Sequence, residues 1–299
     1  MNPIRPTAFV IACLLFGASM WGIIWYPYRL LQGQGVSGEV SSLITYAIPL
    51  LIFAWLHLKE LRAARPYWQL LLGIGLAAGW TNMSYVLAVL EGEILRVLLL
   101  FYLAPLWTVL LARLMLGEQL NRWGYGVMAL SISGAMIMLW PPEGGFPLPA
   151  NRAEWLALSA GMSFALSNVL TRKASVAPLG SKSVAVWAGV SVVSLFAQAL
   201  KPGQWMFTAH ATPLTWSLLL GVGLLIAAMT YAVQYGLSHA PANQAIIIFL
   251  FELVVAAVSS YFLAGEALKL HEWIGAALII AGSLFSGHME DTQETEVAT

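Results

Sequence analysis

The chain has 299 residues, with 14 basic and 14 acidic side chains; 60% of its residues are apolar and only 9% are charged. Ordinary soluble domains carry roughly 25% charged residues, so the composition excludes a soluble globular protein. The balanced charge does not indicate a nucleic-acid partner. The sequence contains no glycine-rich phosphate loop, which excludes ATP hydrolysis by this chain.

Apolar runs of about 20 residues, long enough to cross a bilayer, recur along the whole chain. We count ten of them, and they predict an all-α integral membrane protein with ten transmembrane helices. The longest connectors, Pro141–Arg152 and Lys201–Pro213, are rich in proline and glycine. The predicted spans are Thr7–Leu31, Val40–His57, Tyr67–Leu90, Ile94–Leu116, Trp123–Trp140, Glu154–Thr171, Ser183–Leu200, Leu214–Ser238, Gln244–Ala264 and Glu272–Gly287.

The distribution of basic residues predicts the orientation in the membrane. Nine of them fall on the side of the N-terminus and five on the opposite side. Because cytoplasmic loops carry an excess of Lys and Arg, we expect both termini to be cytoplasmic. The first apolar run continues past Ser19, which favours a retained first span over a cleaved signal peptide. Residues 290–299 form an acidic cytoplasmic tail in this interpretation.

An internal repeat recurs at one fixed offset. The segment WQLLLGIGL at Trp68–Leu76 returns as WSLLLGVGL at Trp216–Leu224, with seven of nine positions identical. Leucine-rich helices match each other by chance, but one ungapped shift of 148 residues also relates other positions along each half, which indicates a duplication. These positions are Phe16 with Phe164, Ser19 with Ser167, Phe101 with Phe249, Gly117-Glu118 with Gly265-Glu266, Leu120 with Leu268, and Gly134 with Gly282.

Each half contains five spans, and because five is odd the second copy enters the membrane from the opposite side. The sequence therefore predicts two inverted five-helix repeats, residues 1–143 and 150–289, which together form one membrane domain. Inverted repeats are typical of transporters that work by alternating access, with the substrate bound between the repeats.

The segment LLLFYLAPLWTVLLARLMLGEQLNRWGYGVMALSISGAMIML resembles the fourth and fifth helices of an EamA-type repeat of the drug/metabolite transporter superfamily. The matching residues are Pro105, the Gly117-Glu118 pair, Gly126 and Gly134. The resemblance covers essentially the whole chain, twice over, and implies ten helices. The aromatic content and layout look most like the YddG-type amino-acid exporters of bacterial inner membranes. Leu253 departs from the pattern at the position equivalent to Pro105. That departure leaves open whether both halves bend alike.

Polar and aromatic side chains within spans indicate a substrate site, because polar groups in a membrane tend to face a cavity or another helix. Two other roles remain possible for them: tryptophans and tyrosines anchor helices at the membrane surface, and small polar residues join helices. Gly117-Glu118 and Gly265-Glu266 are interpreted as structural. The candidate substrate-binding residues are Trp21, Trp80, Asn82, Tyr85, Tyr102, Phe164, Ser167, Asn168, Tyr231, Gln234, Tyr235 and Glu252.

Glu252 is the acid that interrupts the apolar segment IIIFLFELVVAAVSSYF. A charged acid within a span costs at least about 2.5–3.5 kcal/mol on insertion scales, so exposure to lipid is excluded. Three roles are open: Glu252 binds a substrate ammonium group, it exchanges a proton during transport, or it makes a structural hydrogen bond, for example to Asn168.

The sequence fits three classes of function to different degrees. Export of small amphipathic metabolites, foremost amino acids including aromatic ones, fits the repeat and the amide side chains, which supply donors and acceptors. Efflux of lipophilic cationic drugs, coupled to protons, fits Glu252 and the aromatic residues equally well. An intramembrane enzyme is remote, because the hydrolase and metalloprotease motifs are absent from the sequence. We expect a small-molecule substrate, the lipid bilayer as surroundings, and no cofactor or metal. The oligomeric state stays open, and a monomer is compatible with the sequence.

Overall fold

The computed structural model describes residues 7–92, 94–140, 149–199, 211–264 and 269–289. Helices are the regular elements of these residues, and none of the described residues lies in an extended strand. Short 3-10 turns connect α2 to α3 and α3 to α4. The helices are α1 (Ala8–Gly33), α2 (Gly38–Phe53), α3 (Leu58–Ala63), α4 (Trp68–Glu91), α5 (Ile94–Phe101), α6 (Ala104–Leu116), α7 (Arg122–Leu139), α8 (Arg152–Lys173), α9 (Leu179–Ala199), α10 (Pro213–His239), α11 (Ala242–Phe249), α12 (Phe251–Ala264) and α13 (Leu270–Phe285).

Eight helical segments of the described residues are long and apolar enough to cross a membrane. Three of the eight combine consecutive helices: α2 with α3, α5 with α6, and α11 with α12. Two further helices, α7 with 18 residues and α8 with 22, occupy the remaining predicted spans. Charged residues at both ends of α8 lower its hydropathy. The predicted fold class, an all-α membrane protein, is confirmed, and the described helices fall into ten segments.

Some predicted features lie outside the described residues. These are the Gly265-Glu266 pair, Leu268, the acidic tail 290–299, and most of the two longest connectors. Within the described residues, Gly117, which is interpreted as structural from the sequence, ends a helix. Gly117 follows α6 with a φ of 74°, a left-handed conformation that glycine adopts without steric cost.

Helices of the two halves pack against each other in matching pairs. In the first half, α1 packs against α10 and α12; its counterpart in the second half, α8, packs against α4 and α6. Similarly α2 contacts α10, and its counterpart α9 contacts α4. The α2–α9 and α7–α13 pairs map onto themselves when the halves are exchanged. An inverted duplication predicts this pattern. The repeat boundaries and a two-fold axis in the membrane plane stay predictions.

The crossing of α4 with α9 is made by glycines. Gly75 lies against Gly189, and a Cβ atom added at Gly79 would lie 2.6 Å from the Gly189 carbonyl oxygen. Small residues allow helix backbones to approach closely in a membrane. At the equivalent crossing of α10 with α2, Gly223 instead meets the side chain of Ile48, at 2.8 Å from an added Cβ atom. The two crossings are therefore equivalent in position and different in packing.

A large buried apolar cluster holds the middle of the bundle together. It includes residues of α1, α7, α10, α11 and α13, together with Phe101 and Tyr102 at the end of α5. Trp21, Tyr85 and Phe164, which are only partly buried, pack against it. Several predicted site residues thus lie beside the points where the fourth and ninth spans are interrupted.

Candidate functional site

The fourth and ninth spans are interrupted at equivalent residues. The α5 helix ends at Phe101 and α6 begins at Ala104, whereas α11 ends at Phe249 and α12 begins at Phe251. Phe101 and Phe249 are related by the repeat offset of 148 residues. The question left open by the sequence is therefore answered: both halves break, and they break at the same place in the repeat.

The two breaks share a three-residue hydrogen-bond spacing, and only the first contains a proline. In the first, Pro105 lies at the start of α6 and lacks a backbone N–H, so it cannot continue the hydrogen bonding of α5. In the second, Leu253 takes this place. Here the Leu250 N–H donates to the Ile247 carbonyl at 3.2 Å, a three-residue spacing that tightens the chain. A proline is therefore not required for the break.

Aromatic rings from three other spans converge on Phe164 of α8. Its ring centroid lies 5.6 Å from that of Phe101, 5.9 Å from that of Phe249 and 5.8 Å from that of Trp21. Trp21 also meets Phe249 edge to face at 5.5 Å, and Tyr85 meets Phe101 at 5.1 Å. Edge and tilted contacts of this kind are favourable. We call Trp21, Tyr85, Phe101, Tyr102, Phe164 and Phe249 the aromatic cluster.

Glu252 lies beside this cluster, in the first turn of α12. Its carboxyl group faces the Tyr102 hydroxyl, close enough for a side-chain hydrogen bond, and Tyr85 lies near both. None of the ion pairs formed by the described residues includes Glu252. The first turn of a helix favours negative charge, because its N–H groups point toward it. The site therefore combines a carboxyl group, two phenols and several ring faces.

Buried amide side chains lie at least one helical turn away from the aromatic cluster. Asn168 and Gln234 are each 4% exposed, and Ser167 is 7% exposed. The Nδ2 atom of Asn168, the Oε1 atom of Gln234 and the Oδ1 atom of Asn82 have no hydrogen-bond partner among the described residues. A buried polar atom without a partner costs about 1–3 kcal/mol, so these atoms are available to a ligand. Their role in substrate binding stays a prediction.

The structure does not bring three of the predicted residues into the aromatic cluster. Trp80 is 46% exposed on the same stripe of α4 as Leu72 and Leu76, and its indole N–H lies 3.3 Å from the Ser159 hydroxyl. Tyr235 packs against the rings of Phe9 and His239, with centroids 5.4 and 4.2 Å away. The third, Tyr231, belongs to a separate polar chain.

That polar chain joins Tyr231 to His57 and Glu60. The Tyr231 hydroxyl contacts Nε2 of His57, and Nδ1 of the same ring lies 2.9 Å from the Glu60 carboxylate. The Gly180 N–H also donates to Glu60, at 2.7 Å. Because all five histidines lie near predicted span ends, the sequence predicts no histidine relay within the membrane. The His57 ring nevertheless reaches a tyrosine in the middle of α10.

Glu118 connects helix ends, as expected for a structural residue. Its carboxylate lies 3.4 Å from the Arg172 guanidinium and accepts the Ala242 N–H, at the start of α11, at 2.8 Å. Burial raises the pKa of the Glu118 carboxyl, and the positive charge of Arg172 opposes that shift. The Arg172 guanidinium also donates to the Ser238 carbonyl at 2.9 Å. Glu118 and Arg172 therefore hold α6, α8, α10 and α11 together at one end of the bundle.

Sequence reasoning missed three residues of interest. Phe101 and Phe249 were visible as a repeat pair, but only the positions of the two breaks place them at the centre. Lys182 fell just outside the predicted seventh span, which starts at Ser183; it instead lies within α9 and is 1% exposed. The sequence around Lys182 does not indicate that its side chain is buried.

The sequence of this chain is similar to those of known transporters. Residues 151–287 match the model of the EamA-like transporter family. The second half of the chain therefore resembles an EamA-like transporter domain. An uncharacterized transporter of Archaeoglobus fulgidus is 29% identical over 72% of this chain and 75% of its own length. A riboflavin transporter of Rhizobium johnstonii is 28% identical over 81% of this chain and 77% of its own length.

A solved crystal structure has the same fold. It aligns with a TM-score of 0.74 and 17% identity over 93% of this chain and 96% of its own. At that identity the likeness concerns the fold alone. The match of residues 151–287 to this family model and the transporter relatives identify the chain as a membrane transporter.

Proposed function

We propose that this transporter exports small amphipathic metabolites, foremost amino acids including aromatic ones, by alternating access. In this proposal the substrate binds at the aromatic cluster beside Glu252. It would act in a bacterial inner membrane with both termini in the cytoplasm, and a monomer would suffice because both halves of the site belong to one chain.

The observation that carries the proposal is the position of Glu252 among aromatic rings at the two helix breaks. A carboxylate and ring faces both attract an ammonium group. The remaining rings, Trp21, Phe164 and Phe249, provide an apolar surface for an aromatic side chain. Each such contact is worth about 0.5–1.5 kcal/mol beyond the burial of apolar area.

The buried amides favour amino acids over lipophilic cations. An amino acid presents a carboxylate as well as an ammonium group, and so needs hydrogen-bond donors that a lipophilic cation does not. The unpartnered amide nitrogen of Asn168 is such a donor. Efflux of cationic drugs stays the second candidate, because Glu252 and the aromatic cluster alone would serve it.

The riboflavin transporter among the relatives suggests a third class of substrate. Riboflavin is aromatic but carries no ammonium group, so Glu252 would not supply its main interaction. We therefore include it in the test as a ligand that uses the rings without the carboxylate.

The test is a substrate panel in liposomes reconstituted with the full chain. We would measure flux of phenylalanine, tryptophan, tetraphenylphosphonium and riboflavin, each with and without a pH gradient. The proposal requires protein-dependent flux of the amino acids. Flux of tetraphenylphosphonium without amino-acid flux would assign the chain to cation efflux, and flux of riboflavin alone would assign it to vitamin transport.

A further inference from the structure

A second polar site lies at the end of the bundle where α8 ends and α9 begins. Lys182, in the first turn of α9, is 1% exposed. Its ammonium group donates to the Ser238 hydroxyl and, at 3.2 Å, to the Ala174 carbonyl oxygen. Both acceptors are neutral. Lysines are almost never fully buried unless they are paired with an opposite charge, so this environment is unusual.

The carboxylates closest to this end of the bundle have other partners. Glu118 is engaged by Arg172 at 3.4 Å and by the Ala242 N–H at 2.8 Å. Glu60 is engaged by His57 at 2.9 Å and by the Gly180 N–H at 2.7 Å. Within the described residues no ion pair includes Lys182. A buried charge without compensation costs several kcal/mol, which an anionic ligand would offset.

Further unpartnered polar groups lie on the neighbouring helices. Because α8 and α10 are separated by one span, they cross the membrane in the same direction. The contact of Arg172 with the Ser238 carbonyl, at 2.9 Å, sets their relative height. Asn168 and Gln234 are each four residues earlier, about one helical turn or 6 Å along the axis.

Two donors suited to an anion lie on α8, three and six residues before Ala174, whose carbonyl accepts from Lys182. The Nδ2 atom of Asn168 and the hydroxyl of Thr171 are buried and have no hydrogen-bond partner among the described residues. Both residues lie on α8 within one turn of Arg172, whose side chain reaches α10. An ammonium group, an amide N–H and a hydroxyl are the donors that a carboxylate accepts.

We propose that Lys182 and Thr171 form an anion site that receives the carboxylate of a transported substrate, while Asn168, four residues from Phe164 and three from Thr171, lies between this site and the aromatic cluster. Ala174, which contacts Lys182, follows Phe164 by ten residues on and just past α8, or about 15 Å along a helix. One amino acid cannot bridge that distance. The anion site is therefore a second binding site, separate from the aromatic cluster. The proposal rests on the proposed function: the carboxylate is held here and the ammonium group at Glu252, at different stages of transport.

The experiment distinguishes the anion site from the aromatic cluster with ligands that lack one of the two charged groups. Binding to the purified full chain is measured for phenylalanine, for phenethylamine, which lacks the carboxylate, and for phenylacetate, which lacks the ammonium group. Lys182→Gln lowers the affinity for phenylacetate and phenylalanine about tenfold or more, because a hydrogen bond to a charged group is lost. It leaves phenethylamine unchanged. Lys173→Gln, at an exposed lysine of the last turn of α8, is the matched control.

Two further variants guard against misfolding. Lys182→Arg keeps the charge and retains phenylacetate binding within about threefold, and Thr171→Val weakens it about threefold to tenfold because one neutral donor is lost. Size-exclusion profiles of all variants are compared with that of the wild type. Glu252→Gln gives the opposite pattern: it weakens phenethylamine and spares phenylacetate.

The outcomes distinguish this proposal from the proposed function. If phenylacetate binds Lys182→Gln as well as it binds Lys173→Gln, the anion site is overturned, while a dependence of phenylalanine on Glu252 still supports amino-acid transport. If phenylacetate depends on Lys182 and phenylalanine does not bind, the proposed substrate class is wrong and the anion site stands. A wild-type protein that binds none of the three ligands contradicts both.

Discussion

The two interrupted spans occupy the same place in the repeat and carry different chemistry. The first break has Tyr102 and Pro105, and the second has Leu250 and Leu253 in those positions. Glu252 stands where the first half has Ala104. The two breaks face each other through the contact of Glu252 with Tyr102. Duplication has thus kept the shape of the break in both halves while each half supplies a different part of one site.

The two glycine crossings differ in the same way. Where α4 crosses α9, glycines face each other, and where α10 crosses α2, Gly223 faces the branched side chain of Ile48, with the Ile48 Cβ atom nearest. The first crossing is therefore a contact between two backbones and the second a contact between a backbone and a side chain, although the repeat makes them equivalent.

The largest effect is expected for Gly79→Leu. The new side chain would meet the backbone of Gly189, 2.6 Å from the added Cβ atom, and we expect destabilisation of about 3 kcal/mol or more. Folded yield and transport should fall together. Gly221→Leu, at a position on α10 with open space around it, is the control and should fold normally. A Gly79→Leu protein that folds well but turns over slowly would identify Gly79 as a hinge.

Glu252→Gln is expected to have the next largest effect. The change keeps the shape of the side chain and removes its charge, so amino-acid transport should fall about tenfold or more. Glu91→Gln, which removes a partly exposed carboxylate paired with Arg152 at 3.6 Å, is the matched control. Equal transport rates by wild type and Glu252→Gln from pH 5.5 to 8.5 would reduce Glu252 to a structural hydrogen bond.

Tyr102→Phe should have a smaller effect. It removes the hydroxyl that faces Glu252 and leaves the ring in the aromatic cluster, so we expect transport to fall about threefold to tenfold, the value of one hydrogen bond. Tyr125→Phe, at an exposed tyrosine of α7, should transport normally. An unchanged transport rate in Tyr102→Phe would mean that the Tyr102 hydroxyl at the first break does not act together with Glu252 at the second.

Pro105→Ala should have the smallest effect of the four. Because the equivalent break at Leu250 forms without a proline, the first break should persist, and transport should stay within about twofold of the wild type. Pro66→Ala, in an exposed 3-10 turn, is the comparison variant. A large loss of transport in Pro105→Ala alone would mean that the two breaks are held by different means.

The spans, the repeat and the acid at Glu252 could be predicted from the sequence, because hydropathy and the constant offset between the halves can both be read directly from the order of the residues. Rotation of each helix about its axis was harder to predict. Trp80 and Tyr85 lie on the same helix, yet only Tyr85 joins the aromatic cluster. Burial of Lys182 depends on where α10 places Ser238, which no local pattern encodes.

The pairing of helices across the halves has a consequence for how the chain is made. In the described residues α1 and α2 touch each other only slightly, and their extensive contacts are with α9, α10 and α12. During synthesis α1 must wait for α10, which begins 213 − 8 = 205 residues further along, roughly 10–40 s at 5–20 residues per second. Expressed as separate polypeptides, the two halves should assemble with each other, and neither should accumulate alone.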